Sequence, residues 1–326
     1  MGARTTAMVL SAALASWACH PEVDDEPLAT PPGSDPAEAS GIANPPEATA
    51  NNGISVGDAV ITVEYDGREL SLPDEVLEAW VQRSASMVRG YLGEFPVPTL
   101  EITLVGRGFG GVGFGMHQDG RWITVYCGRR ISNDGLENDW VMVHEMLHAA
   151  FPDLQRDHRW MQEGLSTYLE PIVRARAGNT PDTEVWRRWT RSMHHGRPKA
   201  GDRGLDQTHT WGRTYWGGAL FWLAVDVELR KRTNNETSIR DIVRGILAEG
   251  GNGRANWSTR KVVAVGDAAT GNTVLAETYA AMAEAPGDID LPALFADLGV
   301  QRHDDGTVTF DDTAPMAHIR RAITRQ

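Results

Sequence analysis

"HEMLHAAFPDLQRDHRWMQEGLSTYLE", residues 144–170, decides how this chain is read. His144 and His148 stand four apart, so on a helix their imidazoles stack on one face, as two ligands of one metal ion require. Glu145 sits one position round, able to reach a metal-bound water without ligating the metal. From the composition, an H-E-x-x-H string is expected by chance about 0.02 times, so the motif is a specific signal. The competing reading is a core helix with two satisfied histidines.

The residues that follow favour the metal. Two histidines leave a catalytic ion short of a third protein ligand. Glu163 lies beyond the break at Pro152, where a turn and a second helix can return it to the first. "RWMQEGLSTYLE" has the apolar pattern of such a helix, with Trp160, Leu165, Tyr168 and Leu169 available for packing. His158 is the alternative third ligand. The metzincin arrangement needs a histidine six residues after His148, where Leu154 stands. Upstream, Asp134 and Glu137 have the spacing of a capping box, and Leu136, Trp140, Val143 and Leu147 form a core stripe. The active-site helix is therefore expected over residues 136–151.

"VHEMLH" followed by "WMQEGLSTYLE" resembles the gluzincin metallopeptidases, which pair H-E-x-x-H with a later W-x-x-E-G-x-x-x-Y. The "peptidase MA-like" and glycyl aminopeptidase groups are the most similar. The resemblance implies one Zn2+ on His144, His148 and Glu163, with Glu145 as general base. "YWGGALFWLAVDVELRKRT" is similar to the family's Y-x-K-G helix, whose tyrosine stabilises an oxyanion. Tyr215 matches that tyrosine, and Gly217 replaces the lysine. The spacing from His148 to Glu163 is shorter than in thermolysin or the large aminopeptidases, which points to a compact branch. The glycine-x-methionine-glutamate-asparagine motif, with which the large aminopeptidases read a substrate amino group, is missing. "GFGMHQ" occupies its approximate place without the glutamate.

The fold implied is α+β: a zincin-like (thermolysin-like) catalytic domain over residues 56–326. It would comprise a small N-terminal sheet lobe (56–135), the active-site helix (136–151) and a mostly helical C-terminal lobe (152–326). "AVITVEY", "TLEITLV" and "RWITVYC" alternate like strands. Residues 73–92 carry apolar side chains at helical spacing, and "DG" at 66–67 marks a turn. After residue 134 helical signals dominate, with "DDGTVTF" as a small hairpin and "PMAHIRRAIT" as a last helix. Gly108, Gly110 and Gly113 form G-x-G-x-x-G, but Gly115, "DG" and a strand follow instead of a helix. A hairpin or flap is the better reading than a dinucleotide site.

The chain's 326 residues and 41% apolar composition suit a folded enzyme. Its net charge is −13, much of it in residues 19–47, which hold seven acids and no Lys or Arg. No basic patch stands out in the sequence, so nucleic acid is not an expected partner. Residues 1–18 read as an export signal, with Arg4 ahead of the short apolar run "AMVLSAALASWA". "SWAC" places Cys19 where a lipoprotein signal puts its acylated cysteine, although Ser16 stands where leucine is usual. Residues 19–55 are rich in Pro, Ala and acids and read as a disordered tether. The expected location is the bacterial cell envelope, or the medium, with membrane contact only through the lipid. Cys127, left unpaired, reads as a buried small hydrophobe.

The functional expectation is an exported zinc metallopeptidase acting on a peptide or protein. The alternative is a catalytically inactive, surface-tethered peptide-binding protein on the same scaffold, against which the intact Glu145 argues. A structural zinc site would use four closed ligands, and Cys127 is a lone candidate for one. Glu170 is a candidate acceptor for a ligand histidine, or a solvated helix-end acid with the helix bending at Pro171. His194, His195 and His209 are further candidates to assist an oxyanion. Trp186, Trp189, Trp211, Trp216 and Trp222 read as core and cleft wall.

Overall fold

The computed structural model describes residues 53–66, 70–108 and 110–325. The expected signal, Cys19 and nearly all of the tether lie outside these residues, as does Gly67 of the "DG" turn.

β1 (Ile54–Val56) folds back on β2 (Ala59–Asp66), whose Ala59 and Ile61 point inward. α1 (Asp74–Leu92) starts after Pro73 and buries Leu77, Trp80, Val81, Val88 and Leu92 along one stripe. It returns the chain to β3 (Thr99–Arg107), which pairs parallel to β2. Next come β4 (Val112–Gln118) and β5 (Trp122–Gly128). The strand order is β1-β2-β3-β5-β4, with β2, β3 and β5 parallel and the two outer strands antiparallel. Ile102 opposite Ile123 and Leu104 opposite Val125 fix the central register on a buried face. Cys127 is fully buried in this sheet, and burial pushes its thiol up to about 12.

Of the glycines expected in a hairpin or flap, Gly106 lies in β3, and Gly113 and Gly115 lie in β4, one arm of an antiparallel β4–β5 pair. β4 is the outer strand beside β5, with a register shift between Val112 and Phe114.

The expected helix over 136–151 is two helices. α2 (Asn133–Glu137) is capped by the Ser132 side chain, which accepts from Gly135 N, so the Asp134–Glu137 box does not form. The chain then turns, and α3 (Val141–His148) begins afresh. Asp139 causes the break: its carboxylate accepts from Val141 N and Met142 N, and from Trp80 Nε1 at 3.2 Å. Burial pushes the Asp139 carboxyl up to about 6 against those hydrogen bonds.

α4 (Arg159–Arg176) follows a 3-10 turn at Arg156–His158 and runs straight through Pro171. α5 (Asp182–Ser192) buries Trp186 and Trp189. A π-helical turn, Arg213–Gly217, leads into α6 (Gly218–Thr233). Ala219 to Leu223 of α6 are all fully buried, so this helix is a core element apolar on every side at its start. α7 (Ile239–Ala248) begins with a Ser238–Asp241 capping box. α8 (Thr259–Thr270), α9 (Val274–Met282) and α10 (Leu291–Asp297) precede the hairpin β6 (Val300–Arg302) and β7 (Val308–Phe310), and α11 (Ala317–Thr324) ends the chain. The whole is a mixed α/β architecture, a five-stranded sheet against many helices. No helix among the described residues is long and apolar enough to cross a membrane.

Candidate active site

α3 is buried on all sides, between β4, α1 and α4. His144 and His148 both face α4, with ring centroids 5.1 Å apart. Glu163 on α4 meets them: its Oε2 lies 3.4 Å from His144 Nε2 and 3.4 Å from His148 Nε2. The three residues are buried, and their ligand atoms lie within 4.8 Å of one another. These separations exceed a good hydrogen bond. They match the edge of a tetrahedron with bonds of about 2.1 Å, the Zn–N and Zn–O length. Two imidazole nitrogens and one carboxylate oxygen are also the donor set of an open catalytic zinc site, so the residues present fit that ion.

Arg159, one helical turn before Glu163, completes the carboxylate's surroundings. Its Nε and NH2 group reach Glu163 Oε1 at 3.0 and 2.9 Å, which turns Oε2 toward the histidines. Burial alone would raise the Glu163 carboxyl. The charge of His148, the hydrogen bonds of both rings and Arg159 outweigh burial and hold it well below the usual range.

Glu145 lies against the outer strand. A Cβ added at Gly115 would sit 2.3 Å from Glu145 Cγ and 2.9 Å from its Oε1. The carboxylate also accepts from the backbone N–H of His117. Burial pushes the Glu145 carboxyl up to about 7. Gly115, Glu145, His148 and Glu163 line one cleft of about 490 Å³, within the range of small-ligand sites. Met116, Trp122 and Arg156 form its outer parts.

The π-helical turn that carries Tyr215 packs against α4. Added Cβ atoms at Gly164 and Gly218 would meet the opposing backbone at 2.3 and 2.2 Å, so α4 crosses the start of α6 with nothing between them. Glu163 precedes one glycine and Tyr215 lies three residues before the other. Tyr215 is buried on the π-helical turn, 6.2 Å from the Trp211 ring, and is not among the residues lining the cleft. A Cβ at Gly217 would lie 2.8 Å from Leu205 Cδ2, the end of a side chain.

The other candidates fall elsewhere. His158 Nδ1 pairs with Asp206 at 2.7 Å, on a carboxylate shared with Trp160 Nε1 and the Tyr279 hydroxyl, and is not part of the His-His-Glu group. Glu170 is neither solvated nor turned to a ligand histidine. It is fully buried between Arg174 (3.1 Å) and Arg188 (2.5 Å). His194 and His195 are exposed, and His209 faces Asp157 at 3.8 Å. Trp186, Trp189, Trp216 and Trp222 are core, whereas Trp211 is exposed.

Three residues beside the candidate site were missed in the sequence. Gly115 could have been found, since a strand glycine beside a strong motif signals close approach. Arg159 stands at i−4 from Glu163, a readable ion-pair spacing. His117, whose ring stacks 5.7 Å from His148 and is held neutral by burial at about 3, carried no sequence signal.

No protein-family model matches the sequence, and no curated protein does. Solved structures match the fold. An aminopeptidase N family protein from Idiomarina loihiensis has TM-score 0.60 at 15% identity, covering 81% of this chain and 52% of that one. A variant of a two-domain M1 zinc metallopeptidase bound to L-tryptophan has TM-score 0.50 at 14% identity, covering 74% and 52%. An M1 zinc metallopeptidase from Deinococcus radiodurans gives 0.48 at 14%, again over 74% and 52%. The chain spans about half the length of each. Its fold is similar to that of the first two of these structures over most of this chain's length.

Proposed function

We propose that this chain is a zinc-dependent metallopeptidase that hydrolyses peptide bonds with Glu145 as general base. The observation that carries the reading is the meeting of His144, His148 and Glu163 around one point, with the Glu145 carboxylate on the wall of the same cleft. His144, His148 and Glu163 would hold a zinc ion, which would supply a Lewis acid able to lower the pKa of a water to about 7.

The chain's own groups do the rest. Glu145, with its carboxyl near neutrality, accepts a proton from the attacking water and returns it to the leaving amine nitrogen. Its position is held from outside by Gly115 and the His117 N–H, so little reorganisation is needed. The free side of β4 offers backbone groups along which an extended peptide can lie as an added strand. Tyr215 is assigned to the oxyanion by resemblance alone. Export through residues 1–18 and tethering through Cys19 belong to the same proposal.

The test is Glu145→Gln, assayed together for bound zinc and for casein or peptide hydrolysis. The expected result is one zinc retained and activity lowered by about 10²–10⁴. Wild-type turnover in that variant would defeat the assignment.

A further inference from the structure

A second cavity, of about 610 Å³, opens where the ends of α4 and α11 meet the start of α7. Arg176 lies thirteen residues beyond Glu163 on α4, about 20 Å along the helix. Six arginines line this cavity: Arg176, Arg230, Arg240, Arg244, Arg321 and Arg325. In a chain of net charge −13 this is a local reversal of sign.

Carboxylates pair with Arg230, Arg321 and Arg325. Arg230 pairs with Asp226 at 3.0 Å, Arg321 with Asp312 at 2.7 Å and Arg325 with Asp182 at 2.8 Å. The cavity wall also holds Glu236 and Asp241, of which Asp241 is engaged in the Ser238 cap. Arg240 and Arg244 have no carboxylate within ion-pair distance among the described residues, although they are one helical turn apart, a repulsive spacing for like charges. Arg240 Nε is buried without a hydrogen-bond partner.

These side chains are held in place by the fold. Arg244 Nε donates to Leu92 O at the end of α1, at 2.5 Å. Arg176 donates to the carbonyls of Ala322 and Ile323 at the end of α11. Arg176 and Arg240 both lie over the Tyr91 ring, at 5.6 and 5.7 Å. Burial and the charges of Arg230 and Arg240 push the Arg176 guanidinium below its ordinary pKa. A group of guanidiniums fixed by backbone contacts, two of them with no carboxylate in ion-pair distance among the described residues, is built for an anion.

We propose that this cavity is a binding site for a small polyphosphate-type anion, of which pyrophosphate is the simplest member. Phosphate oxygens match the planar two-pronged donor of arginine. Guanidiniums arriving from α4, α7 and α11 can be engaged together by an anion with several oxygens, which a halide cannot do. The volume lies in the range of small-molecule sites.

Calorimetric titration of pyrophosphate into the full chain tests this, with inorganic phosphate and chloride in parallel. The variants are Arg240→Gln/Arg244→Gln and Arg240→Lys/Arg244→Lys. Circular dichroism of each checks the fold. Wild type is expected to bind pyrophosphate with Kd below about 1 mM, phosphate more weakly and chloride undetectably. The glutamine variant should bind pyrophosphate roughly 10-fold more weakly or worse, with the lysine variant intermediate. Chelation of a cation at the His-His-Glu centre acts on all three chains equally, so the difference between them reads this cavity. Absent binding in wild type, or equal affinity in the glutamine variant, overturns the site. A lysine variant as tight as wild type would overturn recognition by the arginine fork. Phosphate binding as tightly as pyrophosphate would overturn the polyphosphate assignment.

Discussion

Replacing Gly115 with alanine adds a single methyl group, yet it should disable the chain. The new Cβ would stand 2.3 Å from Glu145 Cγ and 2.8 Å from Cδ. Ordinary carbon contacts begin near about 3.5 Å, so strand or carboxylate must move by roughly 1 Å. Glu145 is 2% exposed and is held by the His117 N–H, so a shift into the adjoining cleft takes it off that hydrogen bond. β4 is an outer strand paired to β5 at Gly115 and Val125, and moving it separates the His117 N–H from the carboxylate. Misplacing a catalytic group by 1 Å costs about 10²-fold in rate, or about 2.7 kcal/mol of barrier. Overpacking should also lower stability by about 1–3 kcal/mol. The assay is kcat/KM on a fluorogenic peptide, read with zinc content and a urea melt. Zinc should stay at one per chain, because Glu145 is not a ligand in this account. Hydrolysis within about threefold of wild type in a folded, zinc-loaded Gly115→Ala chain would refute the reasoning.

Other substitutions test separate parts of the framework. Gly164→Ala places a Cβ 2.3 Å from the Gly218 backbone, which cannot rotate away, so urea melts should show a loss of about 3 kcal/mol or more; an unchanged midpoint would contradict the close crossing. Glu170→Gln breaks a buried cluster with Arg174 and Arg188 and should destabilise by about 3–5 kcal/mol while zinc affinity is unaltered; a selective fall in zinc affinity would restore the ligand-orienting role. Asp139 has a folded carboxyl raised to about 6 from 3.8, so the folded state holds the proton more tightly. Its contribution is therefore most favourable at low pH and is lost as pH rises from about 4 through 6. Urea melts of wild type and Asp139→Asn at pH 4.5 and 7.5 should show the difference moving toward the variant by on the order of 2 kcal/mol, and a pH-independent difference would exclude this.

The site was legible because its information is local. H-E-x-x-H fixes a helical face by spacing, and "WMQEG" announces a second helix with a glutamate one position before a glycine that lets two backbones touch. Period-two alternation gave the strands, but their parallel order could not be read, because pairing joins segments far apart such as Thr99–Arg107 and Trp122–Gly128. The break ahead of α3 was hidden for the same reason. Asp139 ends one helix and caps the next partly because Trp80, 59 residues away, donates to it. Glu170 looked solvated because Arg188, its second partner, arrives on α5. Pro171 looked like a bend, yet packing of α4 against α3 and α6 carries the helix through it. α5 and α8 went unrecognised because α5's tryptophans read as general core and α8 carries little local punctuation.

Metal analysis of the purified chain tests the central claim most directly, comparing wild type with His144→Ala, His148→Ala and Glu163→Ala. The account predicts one zinc per wild-type chain and less than about a tenth of that in each variant, with the fold retained. A wild-type chain that takes up no divalent metal, or a His148→Ala chain that holds it as tightly as wild type, would contradict it.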